Sequence, residues 1–125
     1  LDGRPARLSD IPGVRVVDVW ATWCGPCVRS LPELDRIAEV WRGRGVTVLA
    51  LSADDSAGDV AAFFEGSPPP NYQIGWAGPE VRDVLGINYV PFIAVLDGQG
   101  NVVHAGKAAG PAIESALAEL FGATP

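Results

Sequence analysis

The chain has 125 residues, 48% of them hydrophobic, with 9 basic and 15 acidic side chains and a net charge of -6. That content suits one globular domain, 1–125, and excludes a disordered chain. The acidic balance argues against nucleic acid and anionic membrane as main partners, and no apolar run reaches the length of a membrane helix. Leu1 to Pro12 reads as a surface lead-in, with a turn at Asp2-Gly3 and a short edge strand at Ala6 to Leu8. Val14 to Trp20 is a strong strand, with five Val or Trp among seven residues. Its nearly continuous apolar character suits a central strand covered on both faces.

A helix is predicted from about Pro26 to Arg42, with Leu31, Leu34, Ala38 and Trp41 on one face. Pro32 should kink it, and Gly43 and Gly45 should end it. Val46 to Ala53 is a second buried strand, so strand, helix and strand imply a right-handed parallel crossover. Asp54-Asp55 reads as a loop with a helix-start role. Ser56 caps a short helix with Ala57, Val60, Ala61 and Phe64 on one face. A stiff proline loop follows at 67–71, then a short strand at Tyr72 to Trp76 and a short helix at Pro79 to Leu85. Phe92 to Leu96 and Val102 to Ala105 form a hairpin around the turn at 97–101. The last helix starts near Pro111, with Ile113, Ala116, Leu117, Leu120 and Phe121 on one face. His104 reads as a solvated polar residue.

Between the first strand and the first helix stands Trp20-Ala21-Thr22-Trp23-Cys24-Gly25-Pro26-Cys27, which holds both cysteines of the chain. A Cys-x-x-Cys pair at a helix start reads as a redox site. The helix dipole and the free N–H groups there favour an anion, and the thiolate is the form that attacks disulfides. The bland alternatives are half of a zinc knuckle and an inert disulfide. Structural zinc needs about four ligands, whereas the chain offers two Cys and one His. Haem attachment needs His after the second Cys, and Val28 stands there. Asp18 interrupts an apolar strand, so burial should raise its pKa and fit it to take a proton. Trp23 is expected at the surface beside Cys24, whereas Trp20 and Trp41 are expected in the core.

The whole pattern resembles the thioredoxin family. The carriers are Trp23 to Cys27, Pro32 five residues further on, Val90-Pro91 just before a strand, and Asp18 six residues before Cys24. Within that family the chain is most similar to the extracytoplasmic, often membrane-anchored TlpA/ResA-like thiol–disulfide oxidoreductases. The opening stretch from Leu1 to Asp10 resembles that group's first hairpin, and 56–88 resembles its insertion. Departures are Asp18, where that group commonly has Asn, Ala50 where cytosolic thioredoxins carry Lys, and Phe92 where Thr is usual.

The resemblance implies an α/β thioredoxin-like fold: a central mixed sheet flanked by helices, with an insertion between its βαβ and ββα halves. It implies a redox disulfide between Cys24 and Cys27, Pro91 as a cis-proline, and substrate contacts from Trp23, Gly25, Pro26, Val90 and Pro91. It also implies a monomer that reduces a disulfide-containing client protein, such as an apocytochrome c, using electrons from a membrane-borne dithiol donor. Periplasmic or other extracytoplasmic localisation goes with it. The motif requires no cofactor. Without methionine or a signal-peptide pattern, the chain reads as a mature or trimmed piece whose full-length form carried a signal or anchor. The alternative is a non-catalytic module holding a client or a soft metal ion such as copper(I) on its thiols.

Overall fold

The computed structural model describes residues 10–107 and 109–122. In chain order the elements are β1 (Arg15–Trp20), α1 (Gly25–Trp41), a 3-10 turn at Arg42–Arg44, β2 (Thr47–Ser52) and α2 (Ala57–Phe64). They continue with β3 (Gln73–Trp76), α3 (Val81–Val84), β4 (Phe92–Leu96), β5 (Val102–Gly106) and α4 (Pro111–Phe121). The sheet has the order β3-β2-β1-β4-β5. β1 pairs with β2 and β2 with β3 in parallel; β4 lies antiparallel to both β1 and β5. This is a thioredoxin-like α/β fold around a mixed sheet. The 56–88 region contributes α2, edge strand β3 and α3. The hairpin and edge strand expected in the first nine residues lie outside the described residues.

β1 occupies the centre, and all six of its residues are buried. Alternate side chains of a strand point to opposite faces. Val16 and Trp20 join a core with Leu34, Ile37 and Trp41 of α1 and Leu117 of α4. Val17 and Val19 pack on the other face with Val81 of α3. Asp18 therefore projects toward the layer that contains α1. Its neighbours across the sheet are Ala50 on β2 and Ile93 on β4, both apolar.

α1 buries Cys27, Leu31, Leu34, Ile37, Ala38 and Trp41, which follow helical spacing. It runs on through Pro32, whose missing N–H leaves the Val28 carbonyl without its helical partner. The helix tightens into the 3-10 turn and stops at Gly45, whose φ of 79° is left-handed and suits glycine.

Several expectations need correction. α2 buries only Val60, while Ala57 and Ala61 face solvent. Phe64 packs on the core as expected, and Phe63, from outside that face, joins it in contacting the Trp20 ring edge-on, because an eight-residue helix covers one large aromatic rather than a stripe. α3 begins at Val81; Pro79 lies in the turn before it. Leu120 on α4 keeps 37% of its surface exposed, and His104 is half-buried on β5.

Leu34 is fully buried between α1 and the sheet. Leu34→Ala is expected to lower unfolding free energy by about 2–5 kcal/mol in urea titration. Val84→Ala, at a side chain 83% exposed, is expected to change it by no more than about 0.5 kcal/mol.

Candidate active site

The site is built at the C-terminal ends of the parallel strands, where β1 runs into a short loop and then into α1. Trp20 ends β1, its carbonyl accepts the N–H of Ala53, and the chain turns through Ala21, Thr22 and Trp23. Cys24 is the N-cap of α1, with extended φ and ψ of -93° and 106°. Its N–H donates to the Ala21 carbonyl at 3.1 Å, which closes the turn. Its Sγ accepts the N–H of Cys27 at 3.2 Å. A side-chain oxygen usually takes that capping position; here a sulfur does.

Cys24 and Cys27 are joined as a disulfide, with Cα atoms 5.2 Å apart. The two sulfurs are not equivalent. Cys24 keeps 6% of its surface exposed and Cys27 none. Pro26 stands within the first two helical positions, where its missing N–H costs nothing, and no acidic residue lies in the first turn to oppose an anion. Gly25 and Pro26 are exposed beside Trp23, which is 63% exposed. The Arg29 guanidinium passes close to Gly25.

Opposite Cys24 lies the 89–91 segment. The Val90–Pro91 peptide is cis. The Val90 carbonyl oxygen lies 3.8 Å from Cys24 Sγ. Pro91 is buried and Val90 half-buried, so this segment faces the sulfur through backbone. A separate open groove of about 470 Å3 lies between α1, the end of α2 and the 67–72 loop, bounded by Val28, Pro32, Phe63, Phe64 and Tyr72.

Asp18 is fully buried, and among the described residues neither carboxylate oxygen has a hydrogen-bond partner. Burial pushes its carboxyl up to about 7, because the charged form loses hydration without gaining donors. It sits on the β1 face that packs against α1, where Cys27 is buried.

The sequence suggests a loop residue that helps start a helix at Asp54. Ser56 takes that role, accepting the Asp59 N–H. Asp54 is buried instead, and its carboxylate accepts from the Thr22 N–H, the Thr22 hydroxyl and the Ser52 hydroxyl. Its backbone carbonyl accepts the Trp76 indole N–H at 2.7 Å. A signal was present: Ser52 and Asp54 are small polar residues at the C-terminal end of a buried parallel strand, the end at which α/β folds place their sites. Among the described residues no cluster of three or more His, Cys, Asp or Glu could hold a metal ion.

Comparison with known proteins agrees with this geometry. The family description Redoxin matches residues 1–120. The thiol-disulfide oxidoreductase ResA of Geobacillus thermodenitrificans is 28% identical over 110 residues, covering 82% of this chain and 59% of ResA. The chain thus spans about three-fifths of the length of that relative. The exposed lipoprotein thioredoxin Etrx1 of Streptococcus pneumoniae superposes with a TM-score of 0.77 at 26% identity, over 97% of this chain and 93% of that one. A Chlorobium tepidum protein, a candidate thiol:disulfide interchange protein DsbE, gives 0.76 at 27%, over 91% and 82%.

The buried Asp18 makes stability depend on pH. An unfolded aspartate titrates near 3.8, and the folded one near 7. Between those values the folded chain holds a proton that the unfolded chain has lost, so stability falls as pH rises through the window. The expected slope approaches about 1.4 kcal/mol per pH unit. Asp18→Asn should flatten it and be the more stable protein at pH 8 (about a unit above the folded value), measured by urea unfolding of the oxidised form.

Proposed function

The chain belongs to the Redoxin family, and on that premise we propose that it is a thiol–disulfide oxidoreductase that reduces disulfides in client proteins. One observation carries the reading: the more accessible sulfur of the pair caps α1 and already accepts a helix N–H. A thiolate there gains from that donor and from the helix dipole. In the reduced protein the Cys24 thiolate attacks one sulfur of the client disulfide. The second client sulfur leaves as a thiolate, and Cys24 is held in a mixed disulfide. Cys27 then loses its proton to Asp18 and attacks Cys24 Sγ. The client leaves with two thiols, and the Cys24–Cys27 disulfide remains, two electrons having passed to the client. A second dithiol protein returns the pair to its reduced form.

Asp18 suits the proton step because its carboxyl is pushed up to about 7, close to working pH, where an acceptor is most effective. Trp23, Gly25 and Pro26 form the exposed rim that meets the client. The Val90 backbone lies close enough to Cys24 to pair with an extended client segment, a mode that demands little of the client's sequence.

The relatives support an extracytoplasmic location, one being an exposed lipoprotein. The full-length protein then carries a membrane anchor, draws electrons from a membrane-borne donor and works on secreted proteins, with an apocytochrome c as one client class. No helix of the described residues is long and apolar enough to cross a membrane.

Reduction of insulin disulfides by the dithiol form is expected to fall to background in Cys24→Ser. Cys27→Ser should instead accumulate a mixed disulfide, visible as a mass adduct; copper(I) uptake without turnover would contradict the enzyme reading. Asp18→Asn is expected to slow resolution of the adduct by about a hundredfold and to remove the rate inflection near pH 7. Unchanged rates across roughly pH 6–9, the range that brackets thiol titration, would exclude Asp18 as the proton acceptor.

A further inference from the structure

Asp54 is 1% exposed. Among the described residues, the donors to its carboxylate come from Thr22 and Ser52. The Thr22 N–H reaches both oxygens at 3.1 Å, the Thr22 hydroxyl reaches one at 2.7 Å, and the Ser52 hydroxyl reaches the other at 2.5 Å. Ser52 Oγ in turn accepts the Asp54 N–H at 2.9 Å. The carboxylate is thus fixed to the end of β2 and grips Thr22, two residues before the sulfur that caps α1.

Besides the burial of Trp20, Ala21 and Cys24 in the core, two backbone bonds restrain the loop from Trp20 to Cys24. The Trp20 carbonyl accepts the Ala53 N–H at 2.8 Å, and the Ala21 carbonyl accepts the Cys24 N–H at 3.1 Å. Thr22 lies between these bonds. Without its anchor the loop would be held by a neutral ladder bond at one end and a tight turn at the other. The capping distance of 3.2 Å from Cys24 Sγ to the Cys27 N–H depends on where that loop ends.

We propose that Asp54 is a positioning residue for the dithiol: by clamping Thr22 to the end of β2 it sets Cys24 at the N-cap of α1. This rests on the thiol–disulfide reading only for its consequence in catalysis; the clamp is a property of the loop. The elements that meet at the dithiol carry three titratable or charged groups: Asp18 on β1, Asp54 in the turn after β2, and Arg29 on α1, whose guanidinium lies against Gly25. A direct charge effect of Asp54 would have the opposite sign to positioning. Removing a nearby anion makes a thiolate easier to form. Removing a clamp takes away the donor and makes it harder.

The test is the pH dependence of Cys24 alkylation by iodoacetamide in the reduced protein, which needs no client. Asp54→Ala is expected to raise the Cys24 titration midpoint by about one unit, a roughly tenfold loss of thiolate below the midpoint. Thr22→Val, which deletes only the hydroxyl, should raise it by a smaller amount, and Thr22→Ser should restore wild-type behaviour. Thr22→Val also supplies the answer if Asp54→Ala does not fold. A midpoint that falls or stays constant in these variants, even with stability reduced, would overturn the proposal. Insulin turnover by the wild type is scored separately: its absence would remove the reductase reading and leave the clamp standing.

Discussion

The first N–H groups of an α-helix have no partner within the helix, and something outside it must accept from them. In this chain the acceptor at α1 is the sulfur of Cys24. That single placement ties the backbone to the chemistry. In the proposed mechanism the group that satisfies the helix end is also the group that becomes an anion to react. A hydroxyl or carboxylate at the same position would cap the helix as well and do no redox work.

The rest of the fold holds that sulfur in place. β1 lies at the centre of the sheet and is buried along its length, so its C-terminal end is a fixed point from which the loop departs. The apolar face of α1 locks the helix to the sheet through Leu34, Ile37 and Trp41. The Val90 carbonyl approaches from the other side. Asp18 is the costly element of this core. A buried carboxyl without a hydrogen-bond partner reduces stability when ionised, and a well-packed apolar residue would serve the core better. Its position behind the helix that carries Cys27 makes sense as chemistry and has no stabilising explanation in the contacts around it.

Much of this was readable from the residues. β1, β2 and β4 declare themselves through runs of Val, Leu, Ile and Ala, because strands covered on both faces need little polarity. The Cys-Gly-Pro-Cys stretch between strand and helix marked the site, since two cysteines and a proline at a helix start have one economical arrangement. Peripheral elements were harder. α2 and α3 are short and lie at the margins, where one or two contacts decide burial and periodicity carries little information. Phe63, for example, meets Trp20 from outside the stripe that helical spacing suggests. Asp54 escaped for a different reason. Asp54 and its partner Thr22 are 32 residues apart, and only the parallel pairing of β1 with β2 brings them together. A carboxylate in a loop is ordinarily solvated; this one is buried because the loop folds over it.

The pH dependence of alkylation of the reduced protein measures the state of the Cys24 sulfur directly. With Cys27→Ser used to isolate the signal, Cys24 is predicted to titrate between about 3.5 and 7.5, as thiols at helix N-termini do. A midpoint near 8.5, the value of a free thiol, would contradict the account: the helix end would then provide the sulfur with no stabilisation as an anion.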